Sequence, residues 1–221
     1  MISIIIPSYN QQQFLPDAIE SCLSQTEKPY EIIVIDDGST DKSLEIAKNY
    51  PVKVISQVNK GLASARNTGI MNAKGVFVLP LDADDMLTEN AIDVLSHRIK
   101  EFDGDIFSPS FKCFGINNQE IVHNQALSLP DFRFANRIGY FALMRRSKLL
   151  EIGGYSPRMT WGYEDYHLTI DLLKRGAKLV CLPEILVLYR TKENSMIHTA
   201  QMHHNELIAQ IAKDHPQLYA N

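Results

Sequence analysis

Along the first hundred residues, short apolar runs alternate with stretches in which apolar residues recur every three or four positions. Ile2-Ser3-Ile4-Ile5-Ile6-Pro7 is a β-branched run of the kind expected from a strand buried on both faces. Beyond Ser8-Tyr9-Asn10, Leu15, Ala18, Ile19, Cys22 and Leu23 fall on one face of a helix, and Pro16 suits its first turn. The alternation then repeats. Strands are predicted over 31–36, 52–56 and 76–81, with helices from Thr40 or Asp41 to about 49, over 61–73 and over 89–102. Repeated βα units imply an α/β fold with a doubly wound, mostly parallel central sheet and helices on both faces. Ligands of such sheets bind beyond the carboxyl ends of the strands.

The second half is less regular. Strands are predicted over 105–114, 140–144, 179–182 and 187–189, a loop with weak strand content over 121–131, and helices over 147–152, 165–175 and 202–214. No repeat, low-complexity tract or linker divides the chain, so 1–221 reads as one domain with two halves that meet near residue 100.

Composition narrows the class. A chain of 221 residues, 45% hydrophobic and 22% charged, builds a continuous core without disulfide or metal staples. A net charge of -4 and the lack of a basic stripe argue against nucleic acid as a partner. The cluster Arg145, Arg146, Lys148 reads as a solvated helix start, with peripheral contact to an anionic membrane as the alternative. Cys22, Cys113 and Cys181 have no metal-ligand spacing and read as thiols in a reducing compartment. The apolar start has neither a basic n-region nor a cleavage site, and no segment is long enough to span a bilayer. A cytoplasmic protein is expected, at the inner membrane face if its substrates are membrane-bound.

The candidate chemistry gathers at the strand ends. Asp82-Ala83-Asp84-Asp85 follows the fourth strand, and three adjacent carboxylates repel one another unless a cation or donors offset their charge. Such oxygen ligands suit Mg²⁺ or Mn²⁺ with positions left for phosphate oxygens; the plain alternative is an acidic turn ahead of the next helix. Asp36-Asp37-Gly38-Ser39 ends the second strand in the same way, either as a binder of a base or ribose or as a turn and helix cap. No GxGxxG follows the first strand, which disfavours a dinucleotide fold. Lys60 and Arg66 flank a helix start, where anions bind well, and each is otherwise a surface charge. In Trp161-Gly162-Tyr163-Glu164-Asp165, one acid suits a general base and the other a contact to substrate hydroxyls; N-terminal capping is the competing account. Trp161 offers a flat apolar face to a ligand, and Gly162 lets the backbone turn close to it; a core anchor is the other reading of Trp161.

Ser3 through Asn10, Val34 through Asp41, Gly61 through Gly69 and Leu81 through Asp85 together resemble family 2 glycosyltransferases of GT-A fold. Gly153-Gly154-Tyr155 and the Trp161 to Asp165 segment extend the resemblance, and the latter is also similar to the carboxyl-terminal part of galactosyltransferase-type enzymes. The motifs run in family order over about four-fifths of the chain. The resemblance implies an inverting transfer from a nucleoside-diphosphate sugar, usually a UDP-sugar, to a glycan or lipid-linked acceptor, assisted by Mn²⁺ or Mg²⁺. It implies that Pro7, Tyr9 and Asp37 line the uracil pocket, with Arg66 beside the base or diphosphate; Lys60, as a cation near the α-helix start, is added as a donor contact. Asp82 would reach the ribose, Asp84 or Asp85 would bind the metal, and Asp165 would be the base, with Glu164 beside it. One departure stands out: in Tyr189-Arg190-Thr191-Lys192-Glu193-Asn194-Ser195, Lys192 holds the position where the family often has histidine. His198 is the nearby candidate to replace it as metal ligand or diphosphate contact, against the alternative of a surface histidine. Two rival classes remain: a non-catalytic module that binds nucleotide sugars or a partner enzyme, and a sugar nucleotidyltransferase. The second would require a Gly-rich basic loop after the first strand, which is absent.

Overall fold

A computed structural model describes residues 1–193 and 196–220. Asn194 and Ser195, the last two positions of the Tyr189 to Ser195 segment, lie outside the described residues. Strands β1 (Ile2–Ser8), β2 (Glu31–Asp36), β3 (Lys53–Ser56) and β4 (Phe77–Pro80) alternate with helices α1 (Leu15–Leu23), α2 (Ser43–Lys48) and α3 (Leu62–Asn72). Then come β5 (Met86–Leu87), α4 (Ala91–Glu101), β6 (Ile106–Gly115), β7 (Glu120–Ile121) and a 3₁₀ turn at Leu129–Phe132. The chain continues through β8 (Leu143–Arg145), α5 (Arg146–Ile152), α6 (Glu164–Lys174) and β9 (Leu179–Thr191), and closes with α7 (Met196–Met202), α8 (His204–Asp214) and α9 (Pro216–Tyr219).

Among the described residues, nine strands form one sheet in the order β3-β2-β1-β4-β8-β6-β9-β5, with β7 paired to β6. The β3-β2-β1-β4 half is parallel throughout, as is the β6-β9 pair, while β8 runs antiparallel between β4 and β6. The expected α/β class with helices on both faces therefore holds. Its apolar runs have a direct cause. Ile4 and Ile6 pack with Leu15, Ile19 and Leu95 on one side of the sheet, whereas Ile5, Ile33 and Ile35 pack with Ala65, Ile70 and Leu149 on the other. A strand covered on both faces has no polar alternation.

Several expectations change. The predicted strands 179–182 and 187–189 are one strand, β9, whose pairing with β6 shifts register between Pro109 and Ser110 and again between Ser110 and Phe111. Pro183 falls within β9 near these irregularities, where a residue without an N–H is tolerated and the pattern is interrupted. The helix expected over 202–214 is α8, and a further helix that was not expected, α7, precedes it, with His203 between them. Cys22, Cys113 and Cys181 are free thiols, the first two of them buried. Among the described residues no helix is long and apolar enough to cross a membrane.

Candidate functional site

A cavity of about 530 Å³ opens at the carboxyl ends of the parallel strands. Pro7 and Ser8 of β1 and Tyr9 just beyond it, Asp37 after β2, Gly61 and Ala65 of the α3 start, Asp82 to Asp85 after β4, and Tyr189, Arg190 and Lys192 at the end of β9 all line it. This is where an open parallel sheet binds ligands.

The two loops at the β1 and β2 ends are built together. Asn10, with φ 54°, accepts the backbone N–H groups of Thr40 at 2.8 Å and Asp41 at 3.3 Å on Oδ1, and its own N–H donates to Ser39 Oγ at 3.1 Å. This pins the Ser8-Tyr9-Asn10 turn and leaves the Tyr9 side chain exposed at the cavity. Asp37 is buried, and its Oδ1 accepts from Gln57 Nε2 at 2.7 Å and from Lys60 N–H at 3.0 Å. Oδ2 accepts from Gly61 N–H at 2.8 Å. Asp37 therefore holds the segment between β3 and α3 as well as lining the cavity. Gly38 has φ 75°, and a Cβ there would lie 2.8 Å from the Asn59 backbone nitrogen, so only glycine permits this approach. Lys60 contributes its main chain to Asp37, while its residue surface is exposed and outside the cavity lining.

Arg66 differs from expectation. It is 1% exposed and lies beneath the cavity, where Nη2 donates to Asp82 Oδ1 at 2.7 Å and Nη1 to Glu164 Oε1 at 2.5 Å. Its guanidinium carbon is 4.9 Å from the Tyr140 ring centroid and 5.3 Å from that of Tyr155, a cation–π arrangement on both rings. An arginine buried this deeply is retained as a charge by its two carboxylates, and Asp82 and Glu164 raise its pKa against the opposing effect of burial. It is a brace between the two acidic motifs and is not itself part of the cavity lining.

The three aspartates after β4 have separate environments. Asp82 is partly exposed to the cavity, and burial pushes its carboxyl up to about 6 in spite of Arg66. Asp85 is 1% exposed; Oδ1 accepts the Arg190 N–H at 2.6 Å and Oδ2 accepts the Tyr140 hydroxyl. Burial raises its pKa well above the usual carboxylate range, followed by the neighbouring Asp84 and Asp82 charges. Asp84 pairs through Oδ2 with the Lys192 ammonium, and its carbonyl accepts from Arg190 Nε at 2.8 Å.

These partners limit what a divalent ion finds. Among the described residues no three His, Cys, Asp or Glu side chains assemble as a metal-holding group. Both oxygens of Asp85 accept hydrogen bonds, from Arg190 and Tyr140, with which an ion would compete. His198 is exposed on α7 and outside the cavity lining, although its neighbour Thr199 lines it. The structure does not bring Asp84, Asp85 and His198 together as one ligand set. What fits is an ion shared between Asp84 and substrate phosphates, the arrangement in which one or two carboxylates suffice.

At the start of α6, Glu164 is buried against Arg66, while Asp165 is half-buried and accepts from Asn136 Nδ2 at 2.8 Å. Burial first, and the adjacent Glu164 charge second, raise Asp165 to about 7. Such a carboxyl is poised to exchange a proton near neutrality. The turn before it is tightly held. Gly162 has φ 126°, and a Cβ there would lie 2.8 Å from Ala200 Cβ; Tyr163 is left-handed at φ 60° and its hydroxyl meets His204 Nδ1 at 2.9 Å. Trp161 is 48% exposed and stacks on His203, with centroids 4.6 Å apart and planes 10° from parallel. It is not a core anchor.

Tyr140, Asn136, Arg190 and Lys192 were not among the residues singled out as binding or catalytic from sequence. They reach the acidic groups from positions 29 to 108 residues away, and only the departure at Lys192 gave a local signal.

The profile of Glycosyl transferase family 2 matches residues 3–168. Glycosyltransferase GlyG of Streptococcus pneumoniae is 29% identical over 90% of this chain and 73% of its own length. Uncharacterized glycosyltransferase EpsJ of Bacillus subtilis is 39% identical over 89% of this chain, and GlyA of S. pneumoniae is 37% identical over 88%. The chain spans 62% of EpsJ and 31% of GlyA, so most of GlyA lies outside the likeness. Among solved structures, S. aureus TarS in complex with UDP-GlcNAc aligns with a TM-score of 0.81 at 22% identity, covering 96% of this chain and 65% of that one. The mannosyltransferase PcManGT of Pyrobaculum calidifontis, in complex with GDP-Man and Mn²⁺, aligns at 0.73 with 16% identity, covering 98% and 64%. Both likenesses establish the GT-A type of fold.

Proposed function

This chain belongs to glycosyl transferase family 2, and on that premise we propose that it moves a sugar from a nucleoside-diphosphate sugar to a hydroxyl of a glycan or lipid-linked acceptor. The observation that carries this reading is the buried Arg66 guanidinium, which ties Asp82 at the cavity to Glu164 beside Asp165. One brace thus sets a nucleotide-sized cavity and a carboxyl raised to about 7 in a fixed relation.

In this reading residues 1–100 supply most of the donor cavity, Tyr189, Arg190 and Lys192 complete it, and the remainder of 101–221 serves the acceptor. The exposed Tyr9 ring, with Pro7 and Asp37 beside it, suits a nucleobase, and the partly exposed Asp82 carboxylate suits ribose hydroxyls. UDP-sugars are the first donors to test and GDP-sugars the second, the latter because PcManGT binds GDP-Man. Asp84 is the carboxylate that would hold Mn²⁺ or Mg²⁺ with the phosphates. When bound, such an ion neutralises the charge that gathers on the departing diphosphate. Asp165 takes the proton of the acceptor hydroxyl as that oxygen bonds to the sugar's anomeric carbon; the bond from that carbon to the phosphate oxygen breaks, and the nucleoside diphosphate leaves. Attack from the opposite face inverts the anomeric centre. Trp161 offers its exposed face to the acceptor ring.

A panel of nucleotide sugars tests this, with nucleotide release followed in Mn²⁺, in Mg²⁺ and in EDTA. Release from at least one UDP- or GDP-sugar is expected. Binding with no release under any condition would instead make the chain a nucleotide-sugar-binding module, and absence of both would overturn the donor site.

A further inference from the structure

Lys192 follows directly on β9, and its ammonium pairs with Asp84 Oδ2 inside the cavity that both residues line. The same ammonium lies 4.8 Å from the Phe14 ring centroid. We propose that Lys192 is a cation built into the diphosphate position, which rests on Asp84 in the free protein and moves to the phosphate oxygens when the donor enters. This rests on the nucleotide-sugar reading of the cavity.

Three observations carry it. First, each carboxylate of the acidic cluster already has a partner within the protein. Asp82 is paired with Arg66 and Asp84 with Lys192, and Asp85 is satisfied by Arg190 N–H and the Tyr140 hydroxyl. Second, among the described residues no set of three metal-ligating side chains forms, and a divalent ion that takes Asp84 must displace the ammonium or share the carboxylate with it. Third, the lysine's backbone is fixed while its head is free to swing. Thr191 Oγ1 donates to the Phe114 carbonyl at 2.9 Å, and Arg190 is held by Asp85, by the Asp84 carbonyl and by Asp17. Beyond that anchor lie four methylenes and a half-buried ammonium. Exchange of one carboxylate for a diphosphate replaces one ion pair by a stronger one, because the new partner carries more charge. A structural strut between β9 and the loop after β4 would show the same ion pair and no such exchange.

The test is calorimetric titration of UDP and of GDP into the whole chain, in EDTA and in Mn²⁺, for the wild type, Lys192→Ala and Lys192→Arg. Measurable nucleotide binding by the wild type in EDTA is expected. Lys192→Ala should weaken it by roughly tenfold to a hundredfold, the loss of one charge-assisted hydrogen bond, while Lys192→Arg restores most of it. In Mn²⁺ the gap between wild type and Lys192→Ala should narrow, and Mn²⁺ alone, followed by its paramagnetic resonance, should bind Lys192→Ala more tightly. Wild-type binding that vanishes in EDTA, or EDTA affinity unchanged in Lys192→Ala with its melting temperature preserved, would make Lys192 a strut and overturn the proposal. Binding of neither nucleotide in either condition would remove the donor site itself and this role with it.

Discussion

The side-chain amide of Asn136 donates to Asp165 Oδ2 at 2.8 Å, from an irregular loop onto the first turn of α6. The bond stabilises the ionised carboxylate, against burial and the Glu164 charge that raise Asp165 to about 7. A base must be ionised to accept a proton. Transfer should therefore rise with pH through an apparent pKa near 7 and level off above it. Asn136→Ala removes the donor, disfavours the charged form further, and should move that limb to higher pH. The pH dependence of kcat/KM for both proteins checks this; a limb that stays where it was would free Asp165 from Asn136, or the rate from Asp165.

Asp165→Asn keeps the side chain's shape and removes its basicity. Turnover should fall by roughly 10²–10⁴-fold, with UDP affinity nearly unchanged, because Asp165 is not part of the cavity lining. Near-normal turnover would move the base elsewhere; Glu164 is poorly placed for that work, being buried against Arg66.

Arg66 makes a stability prediction. Arg66→Met leaves Asp82 and Glu164 facing each other without their shared cation, and removal of one partner from a buried ionic group costs about 3–5 kcal/mol. Urea unfolding should register that loss. Adding Glu164→Gln to Arg66→Met should return part of it, because one of the two unpaired charges disappears. A cost below about 1 kcal/mol would place the network among solvent-screened surface pairs.

The parallel half was legible because β1, β2 and β4 are covered on both sides, which leaves largely apolar runs, and those of β2 and β4 lead into carboxylates at the cavity. The second half was not. Irregular pairing and Pro183 split β9 into two apparent strands, β5 is only Met86–Leu87, and α7 spans only Met196–Met202, too short for a clear helical period. Within the site, the sequence located the acids but not their partners. Whether Asp85 is free for a metal depends on Tyr140, 55 residues on, and on Arg190, 105 residues on. Such pairings depend on sheet order, with β9 beside β5 and β6, and local spacing does not encode sheet order. The burial of Arg66 was hidden for a related reason: what packs over a cation near a helix start is set by distant elements.

Gly162 joins the acceptor turn to the carboxyl-terminal helices. Its φ of 126° is strained for any side chain, and a Cβ would meet Ala200 Cβ at 2.8 Å. Gly162→Ala should cost about 1–3 kcal/mol and displace α7 or the turn, with acceptor KM raised more than donor KM. Chemical denaturation with two-substrate kinetics checks both parts, and equal effects on the two substrates would argue that the turn serves the donor as well.

Trp161 separates recognition from stability most directly. A tryptophan that anchors a core is closed off from water, and its loss costs roughly 3–5 kcal/mol. Trp161 is 48% exposed and spends one face on His203, in a stack whose planes are 10° from parallel. Such a pair contributes about 0.5–1.5 kcal/mol beyond its buried area, so Trp161→Ala should lower the melting temperature only slightly. The outward face is the one available to a sugar ring, and it stands four residues before Asp165. Loss of that face should raise the acceptor KM while UDP affinity stays unchanged, because Trp161 is not among the residues that line the donor cavity. His203→Ala should give a weaker version of the same effect, since it frees the indole to rotate without removing it. Acceptor kinetics, UDP calorimetry and thermal melts on the two variants decide the matter. An unchanged acceptor KM in a fully folded Trp161→Ala protein would leave the indole as a surface prop for α8 and move the acceptor site away from this turn.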